Sequence, residues 1–323
     1  MAGIEVIIVG AGLAGLNCAL HLRKQNVPFV LLDAADAVGG RIRTDELDGF
    51  KLDRGFQVLL TAYPEAKRAL DYKKLNLKPY IAGALVRHNG RFHKVSDPWR
   101  DPGNMLGTMS APIGSASDKL CLAKLQLELA YLMISNDEAA RQSTMDLLKR
   151  HGFSGSMIER FFRPFFGGVF LENKLETNGK NFEFLFRMFA SGDTAVPENG
   201  MEEIPRQLAE QVGMDNIRLN SKVRAIAADT VWLESGERFE APHVVIATDV
   251  AAMRNLTDNS TSSYPPKENA ERIIHGKPTF LPADSKATAV IVQQNAVPRA
   301  AINPICDSNI DIHSILSSFS LTN

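Results

Sequence analysis

The chain opens on a pattern that few folds can use. Residues 4–44 read as a strand, a glycine turn, a helix, a second strand ending in an acid, and a second glycine turn. Ile4 to Val9 is a continuous apolar run, as a strand buried on both faces requires. Gly10-Ala11-Gly12-Leu13-Ala14-Gly15 follows, a G-x-G-x-x-G, and apolar residues recur at helical spacing from Leu13 to Gln25. Phe29 to Leu32 is the next strand, and Asp33 ends it. In this order the residues build a diphosphate seat. Gly10 permits the tight turn, Gly12 lets backbone approach the phosphates, and Gly15 lets the helix pack closely on the strand. The start of the helix, at Leu13 and Ala14, offers N–H groups and a positive dipole end to an anion. Asp33 lies 18 residues beyond Gly15, near the spacing of an acid that binds ribose hydroxyls, and its charge disfavours a 2′-phosphate there. The pattern predicts dinucleotide binding by an α/β domain. A glycine-rich turn in an unrelated α/β protein is the competing reading.

With 323 residues the chain is too long for one ordinary core, which predicts two domains. A net charge of −1 gives no bulk electrostatic case for nucleic acid or an anionic membrane. Cys18, Cys121 and Cys306 are far apart, which fits a reducing compartment and no metal site. No signal peptide precedes the first strand, and no run of 18 apolar residues occurs. The simplest address is cytoplasmic, with an organelle left open. Peripheral membrane contact is also left open.

Ala84 to His88 and Arg91 to Val95 flank Asn89-Gly90, a type I′ hairpin signal. His88 and His93 on its arms lack zinc spacing. Asp97 to Ser117, with three prolines and three glycines, reads as loop. Asp118 to Arg150 is helical in pattern, with Thr144 to Lys149 a separate short helix. Residues 153–189 hold ten of the 17 phenylalanines, enough to line an apolar pocket, cover an interface or fill a second core. α/β grammar returns in the amphipathic segment with Ile204, Leu208 and Val212, and in the strands Ile217 to Leu219, Val223 to Ala227, Thr230 to Leu233, Arg238 to Glu240 and Val244 to Thr248. Thr257 to Pro266 reads as a polar loop, and the sequons at Asn255 and Asn259 carry no sign of secretion. A dinucleotide domain interrupted by a substrate domain explains this alternation. The expected parts are residues 1–80 with 200–255, and residues 81–199 with 256–323.

A second glycine turn, Gly39-Gly40-Arg41-Ile42-Arg43-Thr44, follows Asp33 and Ala34. A nicotinamide-binding domain needs no such turn. The run from Asp33 to Thr44 resembles the E-A-x-x-x-x-G-G-R-x-x-T/S signature of the flavin amine oxidase and phytoene desaturase superfamily. Gly49-Phe-Lys-Leu-Asp53-Arg-Gly55-Phe56-Gln57 resembles that family's segment near the isoalloxazine, where Asp53 more often organises the turn than performs chemistry. Phe161 to Leu171 resembles the entry to the substrate domain in desaturase-like members. Pro197-Glu-Asn-Gly200-Met201 resembles P-x-G-G-M, with Asn199 replacing the first glycine. Asn220 to Val223 resembles the strand whose valine backbone lies against adenine.

The resemblance implies a Rossmann-like FAD-binding domain interrupted by an α+β substrate domain. Its cofactor would be FAD, held by Gly10, Gly12, Leu13, Ala14, Gly15, Asp33, Ala34, Gly39, Gly40, Arg41 and Val223. Arg41 and Arg43 would donate to phosphate or close over the cofactor. The implied activity is oxidation of a small apolar or amine substrate by hydride transfer to flavin, with the phenylalanine-rich insert leaning toward an apolar one. No acid–base pair, G-x-S-x-G elbow, P-loop lysine or metal cluster stands out, so no catalytic residue is assigned. Lys286 falls where amine oxidases place a lysine near flavin N5, although a solvated loop lysine explains it as well. The family's closing glycine-aspartate motif has no counterpart in Ala300 to Asn323. That departure makes the chain read as C-terminally truncated. It sets up a second expectation, a non-catalytic relative that keeps the fold and at most binds nucleotide or a partner.

Overall fold

A computed structural model of the chain describes residues 3–55, 57–97, 100–131, 139, 141–227, 229–258 and 288–291. Two compact units result. The first comprises Met1–Gln57, Arg68–Asn76 and the chain from Pro197 onward; the second comprises Val58–Lys67 and Leu77–Val196.

The first unit is built on β1 (Val6–Val9), α1 (Leu13–Lys24) and β2 (Phe29–Leu32). β1 pairs in parallel with β2 on one side and with His243–Ile246 on the other. Ile217–Arg218 extends the sheet beyond β2, and Thr288–Ile291 extends it beyond His243–Ile246. The strand order therefore reverses at β1, and crevices at such switch points are where open α/β sheets bind ligands. Both faces of the sheet are covered. Val6, Ile8, Leu31 and Val245 pack with α1 and with Leu208, Ala209 and Val212 of the helix Glu203–Val212. Ile7, Val9, Val30 and Leu32 pack with the antiparallel meander Val223–Ala227, Thr230–Leu233 and Arg238–Glu240, and with Met253 and Leu256. Double coverage explains why these strands read as unbroken apolar runs.

These pairings correct the expected boundaries. Leu59–Leu60 pairs with Thr194–Val196, which carries residues 58–67 into the second unit. Thr288–Ile291 joins the dinucleotide sheet, although residues 256–323 were expected in the substrate domain. Helix Val250–Asp258 includes Asn255 and Thr257, the latter expected in a loop. Lys286, Asn259, Cys306 and the tail from Ala300 lie outside the described residues.

In the second unit the hairpin Gly83–His88 and Arg91–Ser96 turns on Asn89 and Gly90, both at positive φ as a type I′ turn requires. The stretch expected to be loop contains a short helix, Met105–Ser110. The phenylalanine question resolves toward core. Phe153, Phe162, Phe166 and Phe182 are buried with Leu125, Leu147 and Leu148, and their rings meet edge-on, tilted or stacked at 4.7–6.3 Å. Phe161, Phe165, Phe170, Phe184, Phe186 and Phe189 are half-buried around this centre. A π-helical turn, Ile158–Phe162, precedes the helix Arg163–Phe170. Pro164 lacks the N–H that would continue the regular ladder at this junction.

Asp118, 1% exposed, anchors this core. Its carboxylate accepts from the backbone N–H of Ser115 and Ser154, both at 2.6 Å, and from their hydroxyls at 2.7 and 2.8 Å. Burial pushes the carboxyl up, but these donors together hold it below the usual carboxylate range. Asp118→Ala should destabilise the protein by about 2–4 kcal/mol, because four donors lose one acceptor group. Because the folded pKa is depressed, this contribution is complete above the ordinary value of about 3.9 and disappears as pH falls through the folded pKa. Denaturant titrations of both proteins should therefore differ most at neutral pH, with the difference narrowing in acid.

Candidate functional site

The first glycine turn is forced by space as well as by angle. Gly10 has φ +107°, and a Cβ there would lie 2.8 Å from the Ala247 carbonyl oxygen. A Cβ on Gly15 would lie 1.8 Å from the Gly10 carbonyl oxygen, so α1 touches the turn backbone to backbone. Gly12 is the N-cap of α1. It has no side chain to cap the helix, and no acid occupies the first turn. The Leu16 N–H returns to the Gly12 carbonyl at 2.9 Å, and the amides of Leu13, Ala14 and Gly15 begin the helix. A helix start without a capping side chain or an acidic neighbour keeps its positive end for an external anion.

The second glycine turn is fastened to the first. The Gly39 N–H donates to the Ala11 carbonyl at 2.8 Å, and Gly39 bridges Gly12 in parallel register. Gly40, at φ +61°, is so near that a Cβ would lie 3.4 Å from the Gly12 Cα. Asp33 ties the first turn to the end of β2 and caps the residues that follow it. Its carboxylate accepts the Ala11 N–H at 2.5 Å and the Ala35 N–H at 2.8 Å. The segment before Val223 arrives at the same place. The Ser221 N–H donates to the Asp33 carbonyl at 2.7 Å and the Asn220 N–H to the Ala35 carbonyl at 2.9 Å. The glycine turns, Asp33, exposed Ala34 and the approach to buried Val223 thus converge at the carboxyl edge of the parallel sheet.

Arg41 and Arg43 follow the turn. Arg41 is exposed. Arg43 pairs with Asp36 at 2.7 Å, which holds that exposed carboxyl below its usual range through the hydrogen bond first and the charge second. The Arg43 charge is therefore already engaged within the loop. Arg54 is likewise engaged, by a two-point pair with Asp45.

A further set of contacts was not legible as a set in the sequence. β3 (Thr44–Leu47) and β4 (Phe50–Asp53) form a hairpin in which Thr44 opposes Asp53. The Thr44 hydroxyl donates to Asp53 Oδ1 at 2.6 Å and accepts the Glu202 N–H at 3.1 Å, while the Thr44 N–H donates to Glu202 Oε2. Asp53 Oδ1 also accepts the Met201 N–H at 2.9 Å. Asp53 thus organises its turn. Gly200 has φ +96°, and a Cβ on it would lie 2.4 Å from Thr44 Cγ2. The Pro197–Met201 motif therefore exists to meet Thr44 of the second glycine turn. Asn199 is exposed and lies outside the positive-φ positions, so the glycine it replaces is not required there. Among the described residues no group of His, Cys, Asp and Glu could hold a metal ion. No helix among them is long and apolar enough to cross a membrane.

The model of one family, described as flavin containing amine oxidoreductase, matches residues 13–280. The chain belongs to that family. This amine oxidoreductase family member is 22% identical over 268 residues to a probable flavin-containing monoamine oxidase A of Dictyostelium discoideum, covering 75% of the chain and 57% of that protein. A solved oxidoreductase from Methanosarcina mazei shares the fold with a TM-score of 0.58 at 18% identity, covering 84% of the chain and 65% of the other. Cyclohexylamine oxidase from Brevibacterium oxydans does so with a TM-score of 0.53 at 20% identity, covering 79% and 60%. The chain spans less than two thirds of the length of these proteins.

Proposed function

We propose that this family member binds FAD at the paired glycine turns and oxidises a small apolar or amine substrate. The observation that carries the reading is the Gly12–Gly39 junction: two backbone turns tied together beside a helix start that no side chain caps. A diphosphate fits that chemistry, because it accepts from backbone N–H groups and complements the positive helix end. The amides of Leu13, Ala14 and Gly15 would donate to phosphate, with Gly10, Gly39 and Gly40 allowing the close approach. Asp33 spends part of its acceptor capacity on Ala11 and Ala35 and has lone pairs left for ribose hydroxyls. Ala34 would flank that ribose, and the Val223 backbone would meet the adenine. Arg41, exposed at the end of the second turn, would reach the phosphates.

Bound FAD supplies a two-electron acceptor; the protein supplies binding, orientation and exclusion of water. The amine oxidases that the chain resembles support an amine substrate. The expected result is a yellow protein with the visible absorbance of a flavin, and release of FAD on denaturation. Gly12→Val should lose that colour, because a branched side chain would enter the phosphate seat. Its backbone angles of −72° and −178° suit any residue, so the substitution adds no backbone strain of its own. Purified parent protein that stays colourless after incubation with FAD, with its first unit folded, would refute the assignment.

A further inference from the structure

In the second unit the short helix Met105–Ser110 is turned inside out. Its polar side faces the protein. Asn104 Nδ2 donates to the Ser96 hydroxyl at 2.9 Å, and the buried Thr108 hydroxyl accepts the Ser96 N–H at 3.0 Å. Met105, Leu106 and Met109 face solvent, and Leu106 is 82% exposed. The hairpin that holds this helix repeats the arrangement. Leu85 lies opposite Lys94 and Arg87 opposite Phe92, so these four side chains share one face with Ser96. Val86 and Val95, on the other face, pack into the phenylalanine core. Leu85 and Phe92 are exposed, Phe92 by 69%. One exposed apolar side chain is ordinary, but five on two joined elements mark an interaction surface.

Charge decides what covers it. From Leu77 to Ser96 there are four lysines and arginines and no acid, and residues 102–117 carry no charge at all. The flanking acids are engaged: Asp97 accepts from Gln126, Asp101 pairs with Lys94, and Asp118 is buried under its four donors. Arg87 and Arg91 are exposed and have no ion-pair partner among the described residues. Lys119 adds a positive charge at the end of the helix, where its Nζ donates to the Ala111 carbonyl at 2.9 Å. Side chains as exposed as Leu106 and Phe92 project into their surroundings, which suits a fluid apolar layer that needs no matching shape. We infer that this face docks on an anionic lipid bilayer. Leu85, Phe92, Leu106 and the two methionines enter the interfacial layer, and Arg87 and Arg91 meet headgroup phosphates. The overall charge of −1 conceals the site, because the excess of cations is local. The inference stands apart from the FAD reading.

The test is co-sedimentation of the purified full chain with phosphatidylcholine vesicles, with and without phosphatidylglycerol. The parent should bind the anionic vesicles at least about tenfold more tightly than the neutral ones, and added salt should weaken binding. Arg87→Gln combined with Arg91→Gln should lose roughly thirtyfold on anionic vesicles. Phe92→Ser combined with Leu106→Ser should lose about tenfold or more on the same vesicles. All four positions are exposed, so melting temperatures should stay within about two degrees of the parent. Leu106→Ser alone gives the same direction of change should the double variant fold poorly. A parent that binds neither kind of vesicle overturns the inference. Binding that both double variants retain overturns it by placing the contact elsewhere on the chain. Loss in the arginine pair alone also overturns it, since the contact would then be loose adsorption of charge. Parent protein that ignores vesicles but self-associates, and no longer does so with Phe92→Ser and Leu106→Ser, would give the face to a second copy of the chain instead.

Discussion

Gly15→Ala will remove FAD binding and lower the melting temperature, the largest effect expected of any single methyl group in this chain. The added Cβ would stand 1.8 Å from the Gly10 carbonyl oxygen, with that carbonyl carbon at 3.0 Å and Leu31 Cδ1 at 3.3 Å. Relief must come from backbone, because the nearest atom is not the end of a flexible side chain. α1 has to lift from β1, and Leu16 and Leu31, both fully buried, have to separate with it. Overpacking of this kind costs about 3 kcal/mol. In a unit of this size that corresponds to a fall of roughly 6–12 °C. The amides proposed to hold the phosphates move with the helix, so affinity should fall even in the fraction that stays folded. Gly155→Ala is the matched control: a Cβ there meets nothing within 4 Å, and φ is not positive. It should melt within a degree or two of the parent, an allowance of about 0.5 kcal/mol. Thermal melts with and without FAD decide the matter. A Gly15→Ala protein with the parent's melting temperature and flavin content would mean that α1 does not pack on the turn as described.

What the sequence made legible was whatever is local. β1, the turn, α1 and β2 are contiguous, and each glycine carries its own steric reason. The Asn89-Gly90 hairpin is equally local. The Thr44–Asp53–Glu202 cluster was not, because its members are up to 158 residues apart. Motif letters record that Thr44, Asp53 and Gly200 are present; only folding shows that they touch. Leu59–Leu60 escaped for a different reason, since two residues have no periodicity to read. Proline and glycine density concealed Met105–Ser110, whose six residues barely complete a turn and a half. The phenylalanines mark a limit of composition itself. Ten rings in 37 residues suit a pocket lining or a core, and burial of Phe162, Phe166 and Phe182 chose the core for the central ones.

Asp33 was legible as a ribose ligand by spacing, yet its present contacts give it a second task, and the two can be separated. Its carboxylate holds the Ala11 amide of the first turn and the Ala35 amide two residues beyond it. Hydrogen bonds to a charged acceptor contribute about 1.5–3 kcal/mol each, toward the lower end where the group is half-exposed. Asp33→Ala should therefore lower stability by about 3 kcal/mol. Asp33→Asn should lose almost as much despite its shape, since one of the two backbone N–H groups would face Nδ2, itself a donor. If the same carboxylate binds the adenosine ribose, ADP affinity falls in both variants, by about tenfold for each hydrogen bond lost. Removal of the charge should also narrow the preference for ADP over its 2′-phosphorylated form in Asp33→Asn. Chemical denaturation and titrations with the two nucleotides read these effects independently. Lower stability with unchanged ADP affinity would leave Asp33 as a structural tie at the end of β2 and exclude it from ribose binding. Parent-like stability in Asp33→Asn would contradict the two amide contacts from which the geometry of the seat is built.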